Sequence, residues 1–298
     1  MNKKLLATAL AILAAALYAI NIPFSKIIIE YVDATMMAGL LYLGAGVGMF
    51  LYVSVGRVFG KKVVKEPLTH KELPYTIAMV VLDIFAPILL MNGLKITSSA
   101  NATLLNNFEI VATSIIALVI FKEVISRRLW IAIALVTISS IILTFEGLDS
   151  FSFNAGSLMV LGAAVCWGFE NNCTNKISHK SSEEIVIIKG IFSGIGSLLA
   201  AFIIGEQFPA WIYVIGVLAL GFISYGLSIN FYISAQKHIG AAKTSAYYSI
   251  SPFLGVLFSL FLLGERPTPQ FYIALIVMIF GTILIVLDTL GVKESVGT

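Results

Sequence analysis

Charged residues are scarce in this sequence. Asp, Glu, Lys and Arg make up 12% of its 298 residues, which is about half the share usual in a soluble domain, whereas 59% are hydrophobic. With a mean hydropathy of +0.98, the chain carries more apolar surface than a water-soluble core can bury. The sequence therefore predicts an integral membrane protein that crosses the bilayer several times.

Cysteine and the usual catalytic motifs are also lacking. The two cysteines, Cys166 and Cys173, lie seven residues apart in one apolar segment and support neither a disulfide framework nor a metal site. The sequence contains neither a Walker-type phosphate loop nor an HExxH motif, and its three histidines lie in loops or at predicted helix ends. These absences argue against ATP-driven transport and against a membrane enzyme, so neither a cofactor nor a metal ion is expected.

Long apolar segments fill the chain almost from end to end. A helix needs about 20 apolar residues to cross ~30 Å of hydrocarbon. The first segment follows Lys3 and Lys4 but is long and lacks a clear cleavage site, so we expect a retained helix rather than a secretory signal. We predict an all-α membrane protein with ten transmembrane helices, near 5–26, 34–56, 73–94, 97–120, 127–145, 156–177, 184–204, 210–233, 240–263 and 269–290.

Lysine and arginine are distributed unevenly between the two sides of the membrane. With a cytoplasmic N-terminus, sixteen of the nineteen fall on the inner side, and only Lys26, Lys95 and Arg266 fall on the outer side. Positive residues concentrate in cytoplasmic loops of membrane proteins. We therefore predict that both termini are cytoplasmic, and that the protein lies in the lipid bilayer of the cytoplasmic membrane.

The second half of the sequence repeats the pattern of the first half. Residues 237–265 match residues 95–123 at an offset of 142, and helices one and two have counterparts at an offset of 150. Because five helices per half is an odd number, the second half would enter the membrane from the opposite side. We predict two inverted five-helix repeats, residues 1–147 and 148–298, in a single membrane unit.

Three carboxylates lie well inside predicted helices. Asp83, Glu109 and Glu170 each start about 10–15 residues from a helix end, which at ~1.5 Å per residue places them about 15–20 Å deep. Ionisable groups at that depth are costly and typically mark substrate or ion pathways. No arginine is deep, and three lysines are close enough to helix ends to reach the interface with their long side chains: Lys26, Lys176 and Lys189.

Amide, hydroxyl and phenol groups accompany these acids on helices 1, 4, 6, 8 and 9, whereas helices 2, 5, 7 and 10 are poorer in deep polar groups. Each group alone could be an interhelical hydrogen bond, and each acid could stay protonated against a neighbour. Their convergence instead predicts a substrate site, with the three acids as candidates for proton coupling. The predicted site comprises Asn21, Asp83, Asn106, Glu109, Glu170, Asn171, Tyr225, Tyr248 and Ser251.

Several loose motifs resemble those of the drug/metabolite transporter superfamily, in its ten-helix EamA type. Residues 18–26 read YAINIPFSK, which is similar to the W-G-x-N-x-x-x-x-K that ends helix one in that family. Cys166-Trp167-Gly168, followed by Glu170-Asn171-Asn172 and Lys189-Gly190, is the counterpart in helices six and seven. Ala242 to Glu265 shows the A-x-x-A…P…GE pattern of helix nine. The resemblance covers essentially the whole chain.

The resemblance implies a central cavity lined by helices 1, 3, 4, 6, 8 and 9, and export of small metabolites by alternating access. One departure is plain, because Glu109-Ile110 stands in helix four where Ser251-Pro252 stands in helix nine. The expected proline is absent, and an acid sits beside its place. The resemblance therefore does not fix the substrate of this chain.

These observations predict a secondary transporter, exporting a small polar metabolite by alternating access. A carboxyl group removed from water holds its proton more tightly, so proton exchange through the acids is the simplest coupling. With no deep cation to oppose them, the acids would favour an amine-bearing solute such as an amino acid over a phosphate. The alternatives are an uncoupled carrier of a neutral metabolite, with protonated acids, or a non-transporting scaffold or receptor. A nucleic-acid partner is not expected, and a monomer is compatible with the sequence.

Overall fold

The computed structural model of the protein describes residues 3–58, 66–121, 126–144, 154–177, 179–239, 244 and 247–289. Throughout these ranges the regular structure is helical, with no strand. Glu123, Ala242 and the predicted boundary between residues 147 and 148 lie outside the described residues. The prediction of an all-α membrane protein is confirmed.

The helices follow one another through short connections. Those of the first half are α1 (Lys3–Ala19), α2 (Asn21–Ile28), α3 (Ala34–Val58), α4 (Leu73–Ile96), α5 (Ser99–Leu105), α6 (Phe108–Phe121) and α7 (Arg127–Thr144). Those of the second half are α8 (Ala155–Ile177), α9 (Ser182–Ile203), α10 (Trp211–Gly221), a π-helical segment (Phe222–Leu227), α11 (Ser228–Ile239), α12 (Ser251–Leu263) and α13 (Pro269–Thr289).

Seven helical stretches are long and apolar enough to cross a membrane, namely Leu5–Ile28, Ala34–Gly56, Leu73–Ile96, Ser99–Ile120, Ser182–Ile203, Trp211–Tyr232 and Pro269–Asp288. The other predicted spans correspond to α7, to α8 and to the shorter apolar helix α12. The count of ten, the inverted orientation of the halves and the cytoplasmic termini therefore stay predictions.

Large apolar side chains cover the outside of the helix bundle. Ile203, Ile212 and Phe261 are each more than 70% exposed, and many other aliphatic and aromatic residues accompany them. In water such a surface would drive aggregation. In hydrocarbon it is well solvated, which explains why apolar residues face outward as well as inward.

Two long spans are interrupted near their middle. Asn106 and Asn107 form a turn between α5 and α6, and a turn at Ser249 and Ile250 precedes α12. Asparagine favours turns because its side chain bonds to nearby backbone groups, and Pro252 suits the first turn of α12 because its missing N–H would be unpaired there. The two interruptions lie at matching positions of the sequence repeat.

The two halves of the chain are interleaved. Helix α3 packs along α9, α4 along α8, α7 along α13, and α1 along α11. Glycine permits the closest of these approaches, since a Cβ placed on Gly190 would lie 2.3 Å from the backbone nitrogen of Gly46. Packing between the two halves therefore brings the polar side chains of α4 and α8 close together.

Candidate functional site

A buried ion-pair cluster joins α4, α8 and α9. Asp83 is 0% exposed and Glu170 is 2% exposed. The ammonium of Lys189 lies 3.0 Å from Asp83 Oδ2 and 3.0 Å from Glu170 Oε1. A single cation thus links two of the three predicted acids, which come from different halves of the chain.

Neutral donors hold the same two carboxylates in place. The hydroxyl of Tyr42 donates to Asp83 Oδ1 at 2.9 Å, and Trp167 Nε1 donates to that hydroxyl at 3.1 Å. The hydroxyl of Thr174 donates to Glu170 Oε1 one helical turn away. Hydrogen bonds to an ionised acceptor are stronger than neutral ones, so these donors fix the direction of each carboxylate.

The position of Lys189 corrects two sequence predictions. Its side chain does not extend to the membrane interface, and the acids do have a deep cation opposite them. Lys189 is the eighth residue of α9, so its Cα lies roughly 10 Å from the start of that helix. The next residue, Gly190, packs on Gly46 of α3, which turns this part of α9 toward protein rather than lipid.

Glu109 forms a second, separate polar pair. Asn171 Nδ2 donates to Glu109 Oε1 at 2.6 Å and lies 3.4 Å from the hydroxyl oxygen of Thr113. Gly168 permits this approach of α8 to α6, because a Cβ there would lie 2.6 Å from Ala112 Cβ. Glu109 is half-buried, and no cationic side chain of the described residues forms an ion pair with it. It is therefore the acid of the predicted site with no paired ammonium.

Four tyrosine rings connect the remaining predicted residues. The ring centroid of Tyr225 lies 5.1 Å from that of Tyr42 and 5.9 Å from that of Tyr18, and Tyr18 lies 5.8 Å from Tyr248. Tyr225 belongs to the π-helical segment, a kind of irregularity that often occurs at functional sites. The rings form a continuous path from the acid cluster to α1, α11 and the turn before α12.

The hydroxyl groups of these tyrosines take part in hydrogen bonds. Asn21 Nδ2 donates to Tyr225 at 2.7 Å, and Asn106 Nδ2 donates to Tyr18 at 3.1 Å. The hydroxyls of Ser228 and Tyr248 lie 3.3 Å apart. Eight of the nine predicted site residues are thus connected by polar contacts. Some of these contacts join two predicted residues, and the others join a predicted residue to Lys189, Tyr18, Tyr42 or Ser228.

Four buried oxygens at the helix interruptions have no hydrogen-bond partner within the described part of the chain. They are Thr103 Oγ1, Asn106 Oδ1, Asn107 Oδ1 and Ser251 Oγ. An unpaired polar atom away from water is costly, so such atoms are free to bind a polar ligand. Ser251, the ninth predicted residue, belongs to this set, at the first turn of α12.

Sequence reasoning missed Lys189, Tyr42, Tyr18 and Trp167 as members of the group. A signal for Lys189 was available, because a lysine eight residues inside a helix and next to a glycine is placed to face another helix rather than lipid. Tyr42 gave none, since it lies in a helix that otherwise carries few polar groups. Among the described residues, no set of three or more His, Cys, Asp or Glu side chains is placed to hold a metal ion.

Carboxylates also close one end of the bundle, at the side predicted to be extracellular. Glu206 and Glu265 each follow a glycine with positive φ, +84° at Gly205 and +62° at Gly264. Each carboxylate binds the N-terminus of a helix in the other half of the chain. Glu206 accepts from the N–H groups of Thr35 and Met36 at 3.1 and 2.6 Å, and Glu265 accepts from those of Ser99 and Ala100 at 2.8 and 2.9 Å.

Comparison with known proteins finds relatives along the whole chain. An uncharacterized transporter of Methanothermobacter thermautotrophicus is 24% identical over 296 residues, covering 92% of this chain and 84% of that protein. The uncharacterized transporter YyaM of Bacillus subtilis is 23% identical over 243 residues, covering 78% and 77%. The uncharacterized inner membrane transporter YedA of Escherichia coli is 25% identical over 166 residues, 54% of each chain.

A solved crystal structure has the same fold. It superposes with a TM-score of 0.68 over 97% of this chain and 98% of its own, at 16% sequence identity. At that identity the likeness establishes the fold alone. The EamA-like transporter family matches residues 5–145 and 154–287, nearly all of both halves. The chain therefore belongs to the EamA-like transporter family of the drug/metabolite transporter superfamily, and it is a membrane transporter.

Proposed function

We propose that this protein is a secondary transporter that exports a small amine-bearing metabolite, such as an amino acid, across the cytoplasmic membrane. The observation that carries this proposal is Glu109, a half-buried carboxylate inside a predicted span. Among the described residues, its side-chain partner is the neutral amide of Asn171. A substrate ammonium would supply the missing positive charge.

The balance of charge around the site supports an amine over a phosphate. The polar group contains three carboxylates, those of Asp83, Glu109 and Glu170, and one ammonium, that of Lys189. Lys189 reduces the acidic excess without removing it. At ~4 Å and an effective dielectric constant of ~20, an added like charge costs about 4 kcal/mol, and an opposite charge gains a similar amount. A phosphate would therefore be repelled where an ammonium is attracted.

The helix interruptions supply the remaining contacts that a polar solute needs. Next to the broken helices α5–α6 and α12 lie buried oxygens that have no hydrogen-bond partner among the described residues, those of Thr103, Asn106, Asn107 and Ser251. In transporters with repeated halves, interrupted helices near the bilayer midplane often form the substrate site, because their ends offer free backbone groups. Hydroxyl and amide groups of this kind would orient the polar part of the substrate.

Coupling to protons is proposed to run through Glu109. Asp83 and Glu170 share the ammonium of Lys189, whereas Glu109 has no cation of its own among the described side chains. Substrate ammonium and proton would then compete for one carboxylate. Exchange of one for the other across the membrane would let protons that move inward, down their gradient, drive export of the substrate.

The test is transport by the purified protein in liposomes. Radiolabelled amino acids and amines are loaded on one side, and their movement is followed with and without a pH gradient. We expect transport that the gradient accelerates in the wild type. We expect transport by Glu109→Gln to be insensitive to the pH gradient, because the amide of glutamine does not take up or release a proton as a carboxyl group does.

A matched control is Glu30→Gln, which makes the same substitution at an exposed carboxylate outside the polar group. This variant should transport and respond to pH as the wild type does. If Glu109→Gln and Glu170→Gln both transport normally and the gradient has no effect, the uncoupled carrier of a neutral solute is the better description. If an organic phosphate is the best substrate, the charge argument fails.

A further inference from the structure

Lys189 places its ammonium where a ligand amine could bind. Asp83 on α4 and Glu170 on α8 each direct one oxygen at the same point, 3.0 Å from Lys189 Nζ in both cases. An ammonium group has three donors and no acceptor, and it matches two buried carboxylates well. The same arrangement would recognise the ammonium of a small molecule.

Each of the two carboxylates also accepts a hydrogen bond from a residue other than Lys189. Tyr42 donates to Asp83 and Thr174 donates to Glu170, and Trp167 in turn donates to the Tyr42 hydroxyl. These donors remain when the ammonium leaves. The cation site therefore consists of the two carboxylates and of the neutral donors that bind them.

The side chain of Lys189 has a second place to go. Side chains on a helix lean toward its N-terminus, and the four-carbon stem of lysine is flexible. From the eighth position of α9, the ammonium can extend back toward the first turn of that helix, where lysines near helix ends reach the interface. The position that the sequence suggested and the position seen in the structure are both within reach of this side chain.

We propose that Lys189 is a tethered substitute for the amine of the substrate. Its ammonium occupies the site between Asp83 and Glu170 when no substrate is bound, and it withdraws when a substrate ammonium enters. Removing one partner of a buried ion pair is strongly unfavourable, so the carboxylates exchange one cation for another and are not left without one. Lys189 then promotes substrate release by returning. This inference rests on the proposed function for the identity of the substrate as an amine.

The experiment measures binding of propylammonium chloride to purified protein at constant ionic strength, with n-propanol as the neutral counterpart. Trp167 reports on the site because it donates to Tyr42, which donates to Asp83. Replacing the other two tryptophans, Trp130 and Trp211, by phenylalanine makes its fluorescence specific. The shift of the thermal unfolding midpoint provides an independent measure of affinity.

In Lys189→Met, the competing ammonium is gone, and propylammonium should bind at least about tenfold more tightly than in the wild type. Lys189→Arg retains a tethered cation and should bind as weakly as the wild type. Asp83→Asn added to Lys189→Met should abolish the gain. Equal affinities in the wild type and Lys189→Met would overturn the proposal, as would a gain that survives Asp83→Asn or that n-propanol reproduces.

The folding of Lys189→Met is itself informative. If this variant folds only when propylammonium is present, an added ammonium replaces the lysine and the proposal is supported. If it folds under neither condition, a free ammonium cannot take the place of Lys189 and the proposal is rejected. This experiment measures binding rather than transport. Failure of amine transport in liposomes would reject the proposed substrate class, whereas the effect of Lys189→Met on propylammonium binding would still test the role of Lys189.

Discussion

At the scale of single residues, removal of the Tyr42 hydroxyl should destabilise the protein because this group joins two buried side chains. Its hydroxyl donates to Asp83 and accepts from Trp167, so Tyr42→Phe removes two hydrogen bonds and takes a partner from each of these buried groups. We expect the free energy of unfolding in detergent to fall by about 1–3 kcal/mol.

The control for this prediction is Tyr31→Phe. Tyr31 is 58% exposed, and its ring stacks on Tyr213 at 4.8 Å, a contact that phenylalanine keeps. This variant should unfold at nearly the wild-type denaturant concentration. If Tyr42→Phe had the same free energy of unfolding as Tyr31→Phe, the hydrogen bonds of the Tyr42 hydroxyl would not contribute to stability.

The same scale shows what the sequence could and could not predict of the site. Asp83, Glu109 and Glu170 were recognisable because acids inside apolar segments are rare. The partnership of Asp83 with Lys189 was not, since hydropathy gives the depth of a residue along its helix but not the side that it faces. The functional role of the nine predicted residues stays a prediction that the liposome assays test.

At the scale of helices, the contact between α3 and α9 depends on glycine. A Cβ on Gly190 would lie 2.3 Å from the nitrogen and 2.5 Å from the Cα of Gly46, so backbone rather than a flexible side chain would have to move. We expect Gly190→Ala to lower the free energy of unfolding by about 1–3 kcal/mol, measured by denaturant titration in detergent.

Gly216→Ala is the matched control, because a Cβ at Gly216 of α10 would meet no described atom beyond the backbone of its own helix within 4 Å. Alanine is also the better helix former, so this variant should be as stable as the wild type or slightly more stable. If Gly190→Ala behaved like Gly216→Ala, the close packing of α3 and α9 would be wrong.

Helix boundaries were largely predictable, whereas interruptions within helices were not. The predicted spans 34–56 and 73–94 match Ala34–Val58 and Leu73–Ile96 closely, since loss of apolar character marks a membrane helix end. The turn at Asn106 and Asn107 lies inside a segment that is apolar on both sides, so a hydropathy window averages it away. The π-helical segment has no compositional signature at all.

At the scale of the whole molecule, the arrangement of helices suits a two-fold relation between the halves. Exchanging the predicted repeats converts the α4–α8 pair into the α1–α11 pair and leaves the α3–α9 and α7–α13 pairs unchanged, and all four pairs are present. This supports the inverted repeat, which remains a prediction. Few identities connect the halves, so the sequence alone suggested the relation chiefly through hydropathy.

The orientation of the chain can be tested by labelling single cysteines. In a protein whose Cys166 and Cys173 are replaced by serine, cysteine is introduced at exposed Gln207 or at exposed Thr69. Five predicted spans separate these positions, so they should lie on opposite sides of the membrane. We expect a membrane-impermeant thiol reagent to label Gln207→Cys in intact cells and Thr69→Cys only after permeabilisation.

Each other outcome of the labelling has a definite meaning. Reversed labelling would overturn the cytoplasmic N-terminus inferred from the lysine and arginine distribution. Labelling of both positions from one side would require an even number of crossings between them and would overturn the ten-helix topology.

The carboxylates of Glu206 and Glu265 join the two halves of the chain at one end of the bundle. Each bridges the two halves and neutralises the positive pole of a helix N-terminus, so parting the halves there strips two helices of their caps at once. Opening of this end would require all four of these hydrogen bonds to break. Glu265→Gln should weaken the bridge by about 0.5–2 kcal/mol and speed amide hydrogen exchange at Ser99 and Ala100, with Glu30→Gln unchanged. We therefore expect this end of the bundle to open more slowly than it would without the two carboxylates.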